Sequence, residues 1–91
     1  MRRDTTLKRA DGQVSAVVDG EVVVMRLSDG VYLTLHDTGS HVWELIEAPT
    51  TFGALCDSLA TEYDVDLAQC ERDTAAYLEG LRDEGVVEIV A

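Results

Sequence analysis

This chain of 91 residues has one proline, two cysteines, one tryptophan, an aromatic content of 5% and seven basic residues against eighteen acidic ones. Each shortage narrows what the molecule can be. Cys56 and Cys70 stand alone, with no Cys-x-x-Cys and no paired histidines, so neither a disulfide scaffold nor a zinc module is expected. The glycines are single turn residues and form no phosphate-cradling loop. No apolar run approaches the roughly 20 residues that cross a bilayer, and Met1-Arg2-Arg3 leads into polar residues, which is not a signal-peptide core. The expected location is the cytoplasm, with no membrane partner. The scarcity of positive charge is sharper than the net charge of −11 suggests, because Arg2, Arg3, Lys8 and Arg9 all precede Asp11. A body this acidic repels phosphate backbones, so no nucleic-acid partner is expected.

What is present is a dense alternation of apolar residues. The length allows one small domain, which must bury most of its large apolar side chains to fold. Residues 1–12 carry charge without periodicity and read as a flexible basic tail, leaving 13–91 as a single domain. From Val14 the chain turns β-rich: 14–18, Asp19-Gly20, 21–27, Ser28-Asp29-Gly30, 31–35. Asp-Gly between apolar runs signals a hairpin, since both central residues of a type I′ turn need positive φ. Two hairpins in series predict a three-stranded antiparallel meander. A two-residue first turn pairs Val18 with Glu21, Ala16 with Val23 and Val14 with Met25. A three-residue second turn pairs Met25 with Leu33 and Val23 with Leu35. Those pairings put Val14, Ala16, Val18, Val23, Met25, Leu27, Val31, Leu33 and Leu35 on one face, the expected core side.

Across His36-Asp37-Thr38-Gly39 the period changes from two to 3.6. Val42, Trp43, Leu45 and Ile46 are the apolar side of a first helix with Thr38 or Ser40 as N-cap, ended by Pro49. Phe52, Leu55, Cys56, Leu59, Ala60 and Tyr63 mark a second helix starting near Thr50-Thr51. Asp66 caps a third, with a stripe of Leu67, Cys70, Thr74, Leu78 and Leu81, and Gly85 fits its C′ position. The segment 86–90 is a short terminal strand or an extended tail lying on the core. The expected fold is therefore α+β and winged helix-turn-helix-like, three strands followed by three helices.

No catalytic constellation accompanies this framework. Both cysteines fall on core stripes, and the paired acids Glu44/Glu47 and Asp83/Glu84 fall on solvated helix faces, so an enzyme is not expected and no cofactor or metal is implied. A winged helix that reads DNA presents basic and amide side chains on its third helix. Here that helix has only Arg72 between Leu67 and Leu81. A DNA-binding regulator and a plain dimerisation module are the readings from other classes.

The stretch Gly30-Val-Tyr-Leu-Thr-Leu-His-Asp-Thr-Gly39, continued by Val42-Trp43-Glu44-Leu45-Ile46, resembles the G-x-Y-Y-x-L-N-x-T-G-x-x-I-W-x-L-L signature of the PqqD-like family. These proteins are recognition elements for the leader peptides of ribosomally made, post-translationally modified peptides (RiPPs). The likeness runs through Tyr63-Asp64-Val65-Asp66, Asp73, Leu81 and Gly85-Val86, so it covers about 14–90. His36 replaces the usual Asn in the turn, and Leu33 stands where a second aromatic is frequent in the pocket.

The resemblance implies a non-catalytic module whose third strand accepts the leader as an added strand, in a groove shared with the third helix. Val31, Tyr32, Leu33 and Thr34 would supply the edge; Asp73, Ala76, Tyr77 and Gly80 the helical wall; Met25 and Leu27 the floor of an apolar pocket. The acidic flank of that helix implies a leader with a Lys or Arg near Asp73. Partners implied are a precursor peptide and separate maturation enzymes, a leader peptidase and a cyclase of the lasso-peptide type. The alternative within the family is pyrroloquinoline quinone biosynthesis, with a radical SAM enzyme as partner.

Overall fold

The computed structural model describes residues 1–90. In chain order its elements are β1 (Thr6–Arg9), β2 (Gln13–Val18), β3 (Glu21–Arg26), β4 (Tyr32–Leu35), α1 (Thr38–Leu45), β5 (Thr50–Thr51), α2 (Phe52–Tyr63), α3 (Leu67–Asp83) and β6 (Val87–Val90). The three-stranded antiparallel sheet β2-β3-β4 followed by three helices is the α+β arrangement expected from the sequence. The winged-helix description fits only loosely, because a second sheet of order β5-β1-β6 is also present.

That second sheet corrects the reading of residues 1–12 as a flexible tail. Thr6 to Arg9 pair in register with Val90 to Val87, and Leu7 is completely buried. Burying one leucine stabilises the fold by roughly 2 kcal/mol. Arg3 spans two helices, donating to the carboxylates of Asp57 and Glu71 at 2.8 Å each. Arg9 lies over the Trp43 ring, 4.5 Å from its centroid, and donates to the Trp43 carbonyl. Local periodicity did not reveal this strand because Leu7 is its sole apolar residue; its order comes from partners about eighty positions away.

The first hairpin has the predicted register, with Asp19 at φ 52° and Gly20 at φ 80°. The second does not. Its loop is one residue longer than expected: Arg26 N–H donates to the Val31 carbonyl across Leu27-Ser28-Asp29-Gly30, and Gly30 N–H donates to Arg26. Asp29 fixes this turn, pairing with the Arg26 guanidinium at 2.7 Å and accepting from Val31 N–H at 3.1 Å, with Gly30 at φ 70°. Val24 therefore pairs with Leu33, and Val22 with Leu35.

A one-residue slip exchanges the faces of a strand. The core side is Val22, Val24, Leu33 and Leu35, while Val14, Ala16, Val18, Val23 and Met25 share the opposite face with Tyr32, and Leu27 falls in the turn beyond β3. Val24 is wholly buried, whereas Val14 and Val18 are each 51% exposed. The expected core face of the meander is thus reversed for its first two strands. Three consecutive valines at 22–24 make both faces of β3 equally apolar, so the pattern alone could not choose.

The helices follow their stripes. Phe52, Leu55, Cys56 and Leu59 on α2 and Cys70, Thr74, Leu78 and Leu81 on α3 are buried, against Val42, Trp43 and Ile46 from α1. Thr51 caps α2, accepting from Ala54 N–H, and Asp66 caps α3, accepting from Gln69 N–H. At α1 the N-cap is Asp37, in place of Thr38 or Ser40. Ser40 is already inside the helix and donates its hydroxyl to the Leu35 carbonyl at 2.6 Å, tying α1 to the end of β4. Trp43 donates its indole N–H to the Ser15 hydroxyl, anchoring α1 under β2.

Candidate functional site

The alternation of hydrogen bonds in an antiparallel ladder determines which groups of β4 remain available. Arg26 N–H donates to the Val31 carbonyl, so Val24/Leu33 and Val22/Leu35 are the bonded pairs that follow. The N–H and C=O of Tyr32 and Thr34 then point away from β3. β4 is the last strand of its sheet, and β6 pairs with β1 elsewhere, so the C-terminal strand leaves this edge uncovered. Four backbone groups face outward on a strand with no lysine, proline or bulge to blunt it.

Beside that edge runs a groove of about 470 Å³ between β4 and α3, lined by Tyr32, Leu33, Thr34, Ala76, Tyr77 and Gly80 and reaching Glu84. Ala76 and Gly80, one helical turn apart, keep the wall low. Tyr77 lines both this groove and a pocket of about 290 Å³ formed with Thr38, Gly39, Val42, Asp73 and Thr74. Burial raises the Tyr77 phenol above its ordinary pKa, so it stays a neutral donor at physiological pH. A Cβ at Gly39 would overlap the Tyr77 hydroxyl, so the start of α1 and the middle of α3 meet only because residue 39 has no side chain.

The two ends of this cleft differ in charge. At the β3–β4 turn, the Arg26 guanidinium holds Glu84 at 2.6 Å and also donates to the Glu84 carbonyl, closing that end with a compensated pair. At the α1 end, Asp73 accepts only from the Gln69 amide, and among the described residues no Lys or Arg reaches it. A cation entering the cleft is attracted to the Asp73 end.

Of the residues singled out from the sequence, Tyr32, Leu33, Thr34, Ala76, Tyr77 and Gly80 come together in the groove, and Asp73 lies in the adjoining pocket. Val31 does not line the groove, and its carbonyl is already engaged by Arg26. Met25 and Leu27 do not floor the groove: Met25 pairs with Tyr32 on the outward face, and Leu27 is 56% exposed. The one-residue slip of the second hairpin removes them. Thr38, Gly39, Val42 and Thr74 were missed as pocket residues. The Thr-Gly pair at the head of α1 was the available signal, but it read as a cap.

Cys56 and Cys70 line neither the groove nor the adjoining pocket. Burial pushes the Cys56 thiol up to about 12, which keeps it protonated and unreactive at neutral pH. Among the described residues no cluster of three His, Cys, Asp or Glu side chains is placed to hold a metal, and no helix is long and apolar enough to cross a membrane.

Comparison with known proteins gives this geometry a family. The model for coenzyme PQQ synthesis protein D (PqqD) matches residues 21–87, a span that includes β3, β4 and all three helices. The chain belongs to the PqqD family. Among solved structures, TbiB1 in complex with the TbiA(beta) leader peptide superposes with a TM-score of 0.84 at 36% identity, covering 89% of this chain and 94% of that one. A lasso peptide synthetase B1 complexed with the leader peptide shares the fold, with a TM-score of 0.81 at 23% identity over 90% of this chain and 96% of that one. A search of the curated proteins finds no match. The family assignment agrees with the signature read from Gly30 to Ile46.

Proposed function

We propose that this PqqD-family chain is a non-catalytic RiPP recognition element that binds the leader of a ribosomally made precursor by strand addition to β4. The observation that carries this reading is the uncovered β4 edge beside an apolar groove: an extended peptide satisfies the outward groups of Tyr32 and Thr34 while its alternate side chains drop between Leu33 and Tyr77. A leader peptide bound to TbiB1, a relative of nearly the same length, supports it. The unpaired Asp73 selects a leader with a Lys or Arg toward the α1 end of the cleft.

In this reading cleavage and ring closure fall to other proteins, and what this chain delivers is a presented precursor. Separate maturation enzymes of the lasso type, a leader peptidase and a cyclase, act on it in the cytoplasm. The family description favours one second reading, presentation of a precursor to a radical SAM enzyme in pyrroloquinoline quinone synthesis.

Calorimetric titration of the full chain with the leader encoded by the neighbouring precursor gene tests the proposal. Binding at micromolar affinity or tighter is expected. Failure of every adjacent leader to bind would overturn it, and the identity of the leader that binds separates the lasso reading from the quinone reading.

A further inference from the structure

The sheet has a second unprotected border. β2 lies at the other end of β2-β3-β4, and its six residues Gln-Val-Ser-Ala-Val-Val contain no charge, no proline and no bulge. The two-residue turn makes Val18/Glu21, Ala16/Val23 and Val14/Met25 the bonded pairs, continued by Leu27 N–H donating to the Gly12 carbonyl at 3.0 Å. The N–H and C=O groups of Ser15 and Val17 consequently face outward. Natural sheets blunt such borders or cover them. Val17 is 67% exposed, more than any other large apolar side chain of the sheet.

Next to this border is a pocket of about 320 Å³ between β2 and the C-terminal end of α1, lined by Ser15, Val17, Val22, Trp43, Glu44 and Glu47. Arg9 is the cation nearest both carboxylates, but its guanidinium is directed to the Trp43 carbonyl, and burial lowers its pKa against their pull. Among the described residues neither Glu44 nor Glu47 has a salt-bridge partner. The last carbonyls of α1 add negative potential at the same place. Two carboxylates and a helix C-terminus against one occupied guanidinium leave the pocket anionic.

We infer that the β2 border is a second strand-docking site, and that its occupant is an extended segment of another protein in which Lys or Arg alternates with apolar residues. Side chains of an added strand alternate between the faces of the sheet. Those directed inward meet Glu44 and Glu47, which calls for cations. Those directed outward continue the row of Val14, Ala16 and Val18, which calls for apolar groups. A second copy of this chain is a poor occupant: its own β2 brings no cation to Glu44 and Glu47, and two bodies of charge −11 repel each other. The site is separate from the β4 groove, so leader and partner segment are held together across one sheet.

The test uses the full ¹⁵N-labelled chain, with and without its leader, and two synthetic probes of eight residues: alternating Lys-Val and alternating Glu-Val, both with blocked termini. The Lys-Val probe is expected to shift the amides of Ser15 and Val17 saturably, with a Kd below about 1 mM at low salt, and to weaken as salt rises. The Glu-Val probe should leave them in place. Val17→Pro removes an outward N–H that the ladder does not use, and should reduce Lys-Val affinity at least about tenfold with leader binding kept. Should that variant fold poorly, the surface pair Glu44→Gln and Glu47→Gln should still weaken the probe several-fold. Lys-Val shifts confined to Tyr32 and Thr34, equal binding of both probes, or concentration-dependent shifts at Ser15 and Val17 without any probe would each overturn the inference. Leader binding is followed at Tyr32 and Thr34 in the same spectra, so its failure is recorded separately from failure at β2.

Discussion

β4 and β2 flank the same central strand and offer the same backbone chemistry, outward N–H and C=O groups at every second residue, yet their surroundings differ. β4 faces the low wall of α3, where Ala76 and Gly80 open an apolar groove and Tyr77 marks its end. β2 faces the C-terminal end of α1, where Glu44 and Glu47 make the recess anionic. A free sheet border is thus a generic acceptor of backbone. The helix beside it decides which side chains may come along. One three-stranded sheet can in this way carry two ligands of different composition.

The largest expected effect comes from proline scanning of the two borders. Thr34→Pro deletes an outward donor on β4 and should cost leader affinity about 100-fold, near 3 kcal/mol, while the ladder with β3 stays intact. Val17→Pro should leave leader affinity unchanged. Isothermal titration of the two variants with the same leader checks this, and equal losses would erase the distinction between the borders.

Next is a test of the faces that both borders share. Val24→Ala removes buried methyl groups beneath the sheet and should lower unfolding free energy by about 2 kcal/mol, whereas Val14→Ala, on the outward face, should change it by less than about 0.5 kcal/mol. Urea denaturation of both variants reads the difference. Reversed magnitudes would restore the register first expected from the sequence.

The smallest effect is electrostatic and belongs to β4 alone. Asp73→Arg should weaken the leader about fivefold at low salt, a little under 1 kcal/mol, and the loss should shrink as ionic strength rises. Titration of the variant at two salt concentrations checks it; unchanged affinity would remove Asp73 from the site.

Much of this was legible in the residues. Asp19-Gly20 specified a hairpin because its φ angles admit few other sequences. The apolar stripes of 52–63 and 67–83 announced their helices because propensity and burial agree there. Ala76, Tyr77 and Gly80 were named as the groove wall through the resemblance to the family carried by Gly30 to Ile46, and the structure places them along that groove. What escaped depended on contacts distant in sequence or on one residue of loop length. β1 exists because Val87 to Val90 need a partner, which no local window around Leu7 discloses. The second hairpin takes an extra residue because Arg26 and Asp29 grip each other across it, and that ion pair moved Met25 and Leu27 out of the groove. The pocket at Thr38 and Gly39 arises from the approach of α1 to Tyr77, a tertiary event that the Thr-Gly pair only hinted at.

The central claim is that β4 gains a strand. Amide hydrogen exchange of the full chain, measured with and without the cognate leader, tests it residue by residue. The account predicts that the exposed amides of Tyr32 and Thr34 become slow when leader is added, while those of Ser15 and Val17 keep their rates. Leader bound at full occupancy with Tyr32 and Thr34 still exchanging freely would contradict it.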